Sequence, residues 1–363
     1  MRLTESEQER IQRHYSASPA AYELYLKGRF FWDKRTKQGL GQAIDYFQQA
    51  INSDPNYALA YAGLADSYAL LDDWGDTAPR DSFPKARAAA EKAIALDDSL
   101  AEAHASLAIV REAYDWDWIG AEQEFKRAIE LNPNYATAHQ WYGLFLASFG
   151  RFREGEAEVR RAKELDPLSP IVNMALPELY MWERRYDEAI PEYKKIIALD
   201  PSFPGAYGNL ADVYEKKQKY AEALDAMQQA AALKGVPEMA RDVRKAYAES
   251  GYNGLIRTEL ATGLKERERG EYNSPVAMAG AYALLGDEQH CLEWLQKGLR
   301  RAFERHAVHC CESGIRLVAG ESEVSVLAGS VGVAGSEGAE LGKQSFENSE
   351  KVRLAMTLLP SGA

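Results

Sequence analysis

"HAVHCC", from His306 to Cys311, sets two imidazoles beside two thiols, the side chains that ligate zinc. A structural zinc site draws on two separated ligand pairs. No second pair stands nearby, so the run is read as carrying no metal. "DDWGD", Asp72 to Asp76, gathers three carboxylates. It lacks the glycine and bidentate glutamate spacing of a calcium loop and reads as a solvated acidic turn. With Cys291 the cysteines make an odd set of three, which is no disulfide framework. Neither a glycine-rich phosphate loop nor G-x-S-x-G nor H-E-x-x-H occurs. No enzyme and no cofactor is therefore expected, and the chemistry left to this chain is recognition.

Charge narrows what is recognised. The formal net charge is −12 with a pI near 5.2. That argues against sequence-independent binding of nucleic acid, which needs basic residues to displace condensed counterions, and against anionic membranes. No apolar run approaches the roughly 20 residues of a membrane span. The start, "MRLTESEQERIQRHY", is charged throughout and has no apolar signal region. A cytoplasmic protein is expected, with residues 1–19 as a lead-in helix or linker.

The elements that could present a recognition surface repeat along the chain. "LNPNYATAH", "LDPLSPIVN" and "LDPSFPGAY" place Pro133, Pro167 and Pro201 at intervals of 34 residues. Pro55 and Asp98 carry the same signal earlier, at intervals of 43 and 35 residues, so those units hold insertions. Apolar residues within each unit follow helical spacing, and the residue before each proline ends the second helix. Small residues such as Ala108, Gly143 and Ala211 let a first helix approach a second one, which brings Ala121, Ala189 and Ala223. Phe47, Phe125 and Tyr193 fill the gaps. One such hairpin cannot bury its apolar faces alone, so neighbours must stack. Pro177 falls in mid-helix, where a kink or a late start is expected. His104 and His139 occupy one repeat position and read as core or rim residues. "YDWDW", Tyr114 to Trp118, lies between two helices. Its aromatics either cover the hairpin end or form an exposed contact site.

This period and its large/small pattern resemble the tetratricopeptide repeat. Seven or eight hairpins fit from about Ala20 to Phe303. The expected fold is an all-α, right-handed superhelical solenoid of stacked antiparallel helix pairs over 20–303. A narrower resemblance is carried by "AAYELYLKGRFFWDKRTKQGLGQAIDYFQQAI", "NYALAYAGLADSYALL" and "YDWDWIGAEQEFKRAIELNPNYATAHQWY". These are similar to bacterial repeat regions that form the C-terminal half of winged-helix, kinase or cyclase-linked signalling proteins. The resemblance implies a protein-interaction scaffold with a peptide or protein partner in its concave groove. The alternative it implies is the sensor half of a truncated or split transcriptional regulator or Ser/Thr kinase. The groove positions it implies are Tyr25, Arg29, Trp32, Asp66, Glu112, Gln140, Met174, Glu178, Met181, Asp212 and Glu215. They give an aromatic, basic end and an acidic, Met-containing middle, and carboxylates suit a basic peptide.

Past "LRRAFERH" the helical pattern stops. Similar proteins continue with a segment like V-D-P-x-F-D-x-L-R-x-x-P-R-F, which closes the last hairpin. Codons allowed for Ile315 to Leu327 can be read one nucleotide later as F-D-W-L-R-G-N-P-R-F-Q-S. Residues 304–363 are thus expected to be a low-order tail, produced by a frameshift between about Phe303 and His309; the alternative is a genuine flexible tail. Without its cap, the face near Tyr282, Trp294 and Leu295 is expected to be partly uncovered and open to self-association.

Overall fold

The computed structural model describes residues 18–74, 77–235, 237–270, 272–298, 316–319 and 324–327. The chain divides into two compact units, one of Met1–Ala147 with Arg151–Pro237, the other of Ser148–Gly150 with Glu238–Ala363.

The first unit holds six helical hairpins. They are α1 Pro19–Trp32 with α2 Lys37–Ser53, and α3 Ala58–Ala69 with α5 Pro79–Leu96, separated by the short α4 Leu71–Trp74. Next come α6 Ala101–Val110 with α7 Trp118–Leu131, and α8 Ala136–Ser148 with α9 Phe152–Leu165. The last two are α10 Pro170–Trp182 with α11 Tyr186–Leu199, and α12 Pro204–Lys216 with α13 Tyr220–Leu233. Successive helices pack on one another from α1 to α7 and from α9 to α13, and Gly143 of α8 lies against Gly155 and Val159 of α9.

Two local devices recur and set the hairpin geometry. Between hairpins, an Asp or Asn side chain accepts from the backbone N–H two residues on: Asp54 from Asn56, Asp97 from Ser99, Asn132 from Asn134 and Asp200 from Ser202. Such a turn competes with the helix and ends it. Within hairpins, one residue adopts a left-handed conformation directly before the second helix is capped: Arg35, Gly150, Arg184 and Gln218. Only glycine takes that conformation without steric cost.

Large and small residues interlock as the pattern implies. Phe47 is fully buried against two glycines. A Cβ on Gly28 would lie 2.5 Å from its ring, and one on Gly63 would lie 2.6 Å from it. Filling such a gap with an aromatic ring is what makes the two-helix seam dense. Helix α10 starts at Pro170, with Ser169 Oγ accepting from the Val172 N–H, and runs through Pro177. The expected late start is therefore corrected: the cap at Ser169 sets the start seven residues upstream, and Pro177 is buried inside the helix.

In the second unit, α14 Pro237–Glu268 is broken at Gly251, where φ is 63°. Helix α15 Pro275–Leu284 and a helix over 288–298 form a further hairpin. Met278, Ala279, Cys291 and Trp294 make its core with Leu260 of α14. Trp294 is thus buried rather than uncovered, held beneath Arg267 at 4.8 Å and Lys297 at 4.4 Å. Strands β1 Arg316–Ala319 and β2 Val324–Leu327 pair antiparallel, with Arg316 opposite Leu327. The remainder of the expected tail, "HAVHCC", and most of the lead-in lie outside the described residues.

Candidate functional site

Counting back from the left-handed turn residue puts the first helices in register. Arg29, Glu178 and Asp212 stand six residues before Arg35, Arg184 and Gln218. Trp32, Met181 and Glu215 stand three before, and Tyr25, Met174 and Gly208 ten before. Gln140 stands ten before Gly150. One repeat position therefore carries a guanidinium in hairpin 1 and carboxylates in hairpins 5 and 6.

At the hairpin 1 end, the chain fills this face itself. Arg29 Nη1 donates to Asp66 Oδ2 of α3 at 3.1 Å, and Ser106 Oγ of α6 donates to Asp66 Oδ1 at 2.6 Å. Three successive first helices thus meet on one carboxylate. Burial pushes Asp66 up to about 6, against the pull of Arg29 and the Ser106 hydrogen bond. Two guanidinium carbons stack on the Trp32 ring, Arg29 at 3.9 Å and Arg35 at 3.4 Å. The ring's edge meets Trp141 of α8 at 6.3 Å, so the first hairpin touches the fourth. Tyr25 packs between Phe47 and Tyr57.

Of the expected groove residues, Trp32, Asp66, Gln140 and Met174 are buried. Gln140 Nε2 donates to the Ile171 carbonyl at 2.9 Å. Tyr25, Arg29, Glu112, Glu178, Met181 and Glu215 are half-buried, and Asp212 is exposed. Glu112 sits in a π-helical turn, Arg111–Asp115, that ends α6. There Asp115 pairs with Arg87 and Tyr114 stacks on Phe83 at 5.4 Å, so the "YDWDW" aromatics begin by covering the hairpin end. Helices α10 and α12 are joined by Asn209, whose Nδ2 donates to Glu178 Oε1 at 2.9 Å.

Sequence reasoning missed Arg35, Ser106, Asn209 and Trp141. Arg35 lies in a turn, outside the helical periodicity. It also missed Trp74: a Cβ on Gly205 would lie 3.2 Å from Trp74 Cη2, so Trp74 packs on the start of α12. The histidine position was legible. Nδ1 of His104 faces Glu124 at 2.6 Å and Nε2 faces the Asp98 carbonyl at 3.0 Å; His139 repeats this with Glu158 and the Pro133 carbonyl. Asn173 and Tyr207 hold the same place and donate to the carbonyls of Pro167 and Pro201. Each ties a first helix to the turn six residues upstream. Burial opposes the charge on His104, but Glu124 and the Asp98 carbonyl outweigh it and raise its pKa.

Among the described residues no cluster of His, Cys, Asp or Glu could hold a metal ion, and no helix is long and apolar enough to cross a membrane.

Family models for the tetratricopeptide repeat match residues 117–170 and 181–241, and one for YpiA-like tetratricopeptide repeats matches 155–200. Transcriptional regulator HilA of Salmonella typhimurium and of Salmonella typhi is 28% identical over 144 residues, 40% of this chain. The match spans about a quarter (26%) of those relatives' length. Among solved structures, TTC0263, a thermophilic TPR protein of Thermus thermophilus, is 23% identical with a TM-score of 0.42; the match covers 56% of this chain and 99% of that one. Pseudomonas aeruginosa pilF is 22% identical with a TM-score of 0.41, over 59% of this chain and 92% of that one. YrrB, a TPR protein with an unusual peptide-binding site, is 21% identical with a TM-score of 0.34, over 55% of this chain and 97% of that one. The stacked helix pairs of residues 117–241, which the models together span, are thus tetratricopeptide repeats.

Proposed function

We propose that this chain is a non-catalytic scaffold that takes a basic peptide segment of a partner protein along the first helices of hairpins 5 and 6. The repeat fold itself is that of a protein-interaction scaffold in general. One observation carries the finer reading: the repeat position that is Arg29 in hairpin 1, tied to Asp66, is a carboxylate in α10 and α12, where Asp212 is exposed and Glu178 half-buried. Met181 and Glu215 flank these carboxylates one turn on. Carboxylates along such a strip steer a cationic partner and fix its register, and Met adapts to irregular apolar side chains.

Fluorescence anisotropy with a labelled Lys-rich peptide and a Glu-rich control tests this on the full chain. The Lys-rich peptide is expected to bind, with affinity falling about tenfold in the Glu178→Gln, Asp212→Asn double variant and falling with salt. Equal binding of both peptides, or an unchanged affinity in the variant, defeats the proposal.

The similarity to a transcriptional regulator over 144 residues favours a second reading, in which these repeats are the sensor half of a larger bacterial regulator. An in-frame effector-domain sequence directly upstream in the genomic DNA supports that reading.

A further inference from the structure

His104 and His139 each face two acceptors at once. Nδ1 of His104 lies 2.6 Å from Glu124 Oε2, and its Nε2 lies 3.0 Å from the Asp98 carbonyl. Nδ1 of His139 lies 2.6 Å from Glu158 Oε2, and its Nε2 lies 3.0 Å from the Pro133 carbonyl. An ionised carboxylate and a backbone carbonyl accept and never donate. A neutral imidazole carries one N–H, so it serves one of the two and sets a lone pair against the other. Only the imidazolium, with a hydrogen on each nitrogen, completes both bonds. The short 2.6 Å contacts are of the charge-assisted kind.

These bonds sit where hairpins join. The Asp98 carbonyl belongs to the turn between α5 and α6, and Glu124 to α7; the Pro133 carbonyl belongs to the turn between α7 and α8, and Glu158 to α9. Each ring thus ties the turn that enters its hairpin to that hairpin's second helix. At the next two joints Asn173 and Tyr207 donate to the matching carbonyls of Pro167 and Pro201. An amide and a phenol hold their donor hydrogens already and need no added proton. The two joints that flank hairpin 3 are therefore the ones that depend on one.

Few charges surround the rings. Arg111 Nη2 shares Glu124 at 3.2 Å, and Arg127 of α7 opposes charge on His104. Near His139, Tyr142 of α8 feels the Glu158 charge, and Arg161 Nη2 of α9 donates to Asn134 of the turn at 3.4 Å. Among the described residues the ion partner of Glu158 is His139.

We propose that His104–Glu124 and His139–Glu158 form a pH-sensitive lock on the joints either side of hairpin 3, closed while each ring carries both protons and released when it loses one. Loss of the Nδ1 proton turns the contact with the glutamate into repulsion between lone pairs, and loss of the Nε2 proton frees the turn. Burial works against the charge on His104, but Glu124 and the Asp98 carbonyl raise its pKa above the ordinary 6.5. Folded His104 thus holds its proton more tightly than the unfolded chain does. Its contribution is full below about pH 6.5 and is lost as pH rises through the raised folded value. The lock does not depend on what the α10–α12 strip binds.

The test uses the full chain labelled with 15N-histidine. Two-bond 1H–15N spectra tell an imidazolium from either neutral tautomer, and His104→Gln and His139→Gln assign the signals. The His104 ring is expected to titrate from imidazolium with a midpoint above 6.5. Glu124→Gln keeps an acceptor but removes the charge, and should lower that midpoint. Thermal melts give the second readout. Between about pH 6 and 8.5 the wild-type Tm should fall by about 3 °C more than that of the Glu124→Gln, Glu158→Gln double variant. Any contribution from Asp66 is common to both and cancels. A His104 that titrates at or below 6.5 overturns the proposal, as does an equal change of Tm in the two proteins. If the double variant does not fold, the His104 titration decides alone.

Discussion

Hairpin 1 and hairpin 6 follow one repeat, yet they handle the same two positions in opposite ways. In hairpin 1 the pair is Arg29 and Trp32, drawn inward onto Asp66 and against Trp141. In hairpin 6 it is Asp212 and Glu215, on a helix whose exposed face carries charge. The backbone turn that follows is the same in both, a left-handed residue before the second helix. Side-chain size and charge at the first-helix face, not the hairpin itself, decide whether the residue at that position is drawn into the packing or stays exposed.

The largest expected effect separates the two ends directly. Arg29→Ala strands Asp66 as a buried charge held only by Ser106, and should cost ~3 kcal/mol in chemical denaturation, since Arg29 is itself partly exposed. Asp212→Ala should change stability by less than ~0.5 kcal/mol. Equal losses from both would dissolve the contrast. Acid titration sharpens it next. Asp66 has its folded pKa raised to about 6, against an unfolded value near 3.9. Its folded state holds the extra proton between those values, so this contribution is full below about pH 4 and is lost as pH rises through about 6. Relative to Asp66→Asn, the wild type should therefore lose up to ~3 kcal/mol between pH 4 and 7. A difference that stays flat across that range shows that Asp66 does not titrate as its burial requires. The smallest effect compares two glycines. Gly63→Ala would place a Cβ 2.6 Å from Phe47 and should destabilise by ~1 to 3 kcal/mol. Gly208→Ala meets nothing within 4 Å in α12 and should stabilise by ~0.5 to 1 kcal/mol. Circular dichroism melts of the two variants read both signs.

The repeat was legible because its signals are local. The proline spacing, the large/small alternation and the shared place of His104 and His139 all follow from contacts within one hairpin or between neighbours. Even so, Asn173 and Tyr207 at that same place escaped notice, because their side chains differ while the carbonyl they serve recurs. The first-helix positions of hairpins 1, 5 and 6 could be aligned from the sequence, but exposure was not legible. Asp66 is buried because α1, α3 and α6 converge on it, and that convergence depends on the curvature of the stack. No one-dimensional spacing encodes curvature. The approach of Trp32 to Trp141, 109 residues apart, and of Trp74 to Gly205 were invisible for the same reason.

The Trp32–Trp141 contact also bears on how the molecule comes apart. A linear array of repeats frays from its ends, since a terminal repeat has only one neighbour to hold it. Here the first repeat is fastened to the fourth as well as to the second, so opening it breaks contacts with two others. Amide hydrogens in the middle of α1 should therefore exchange as slowly as those of α8. The N-terminal four hairpins then behave as one cooperative block, an arch with its keystone at Trp32, rather than as a row of units that peel away one at a time.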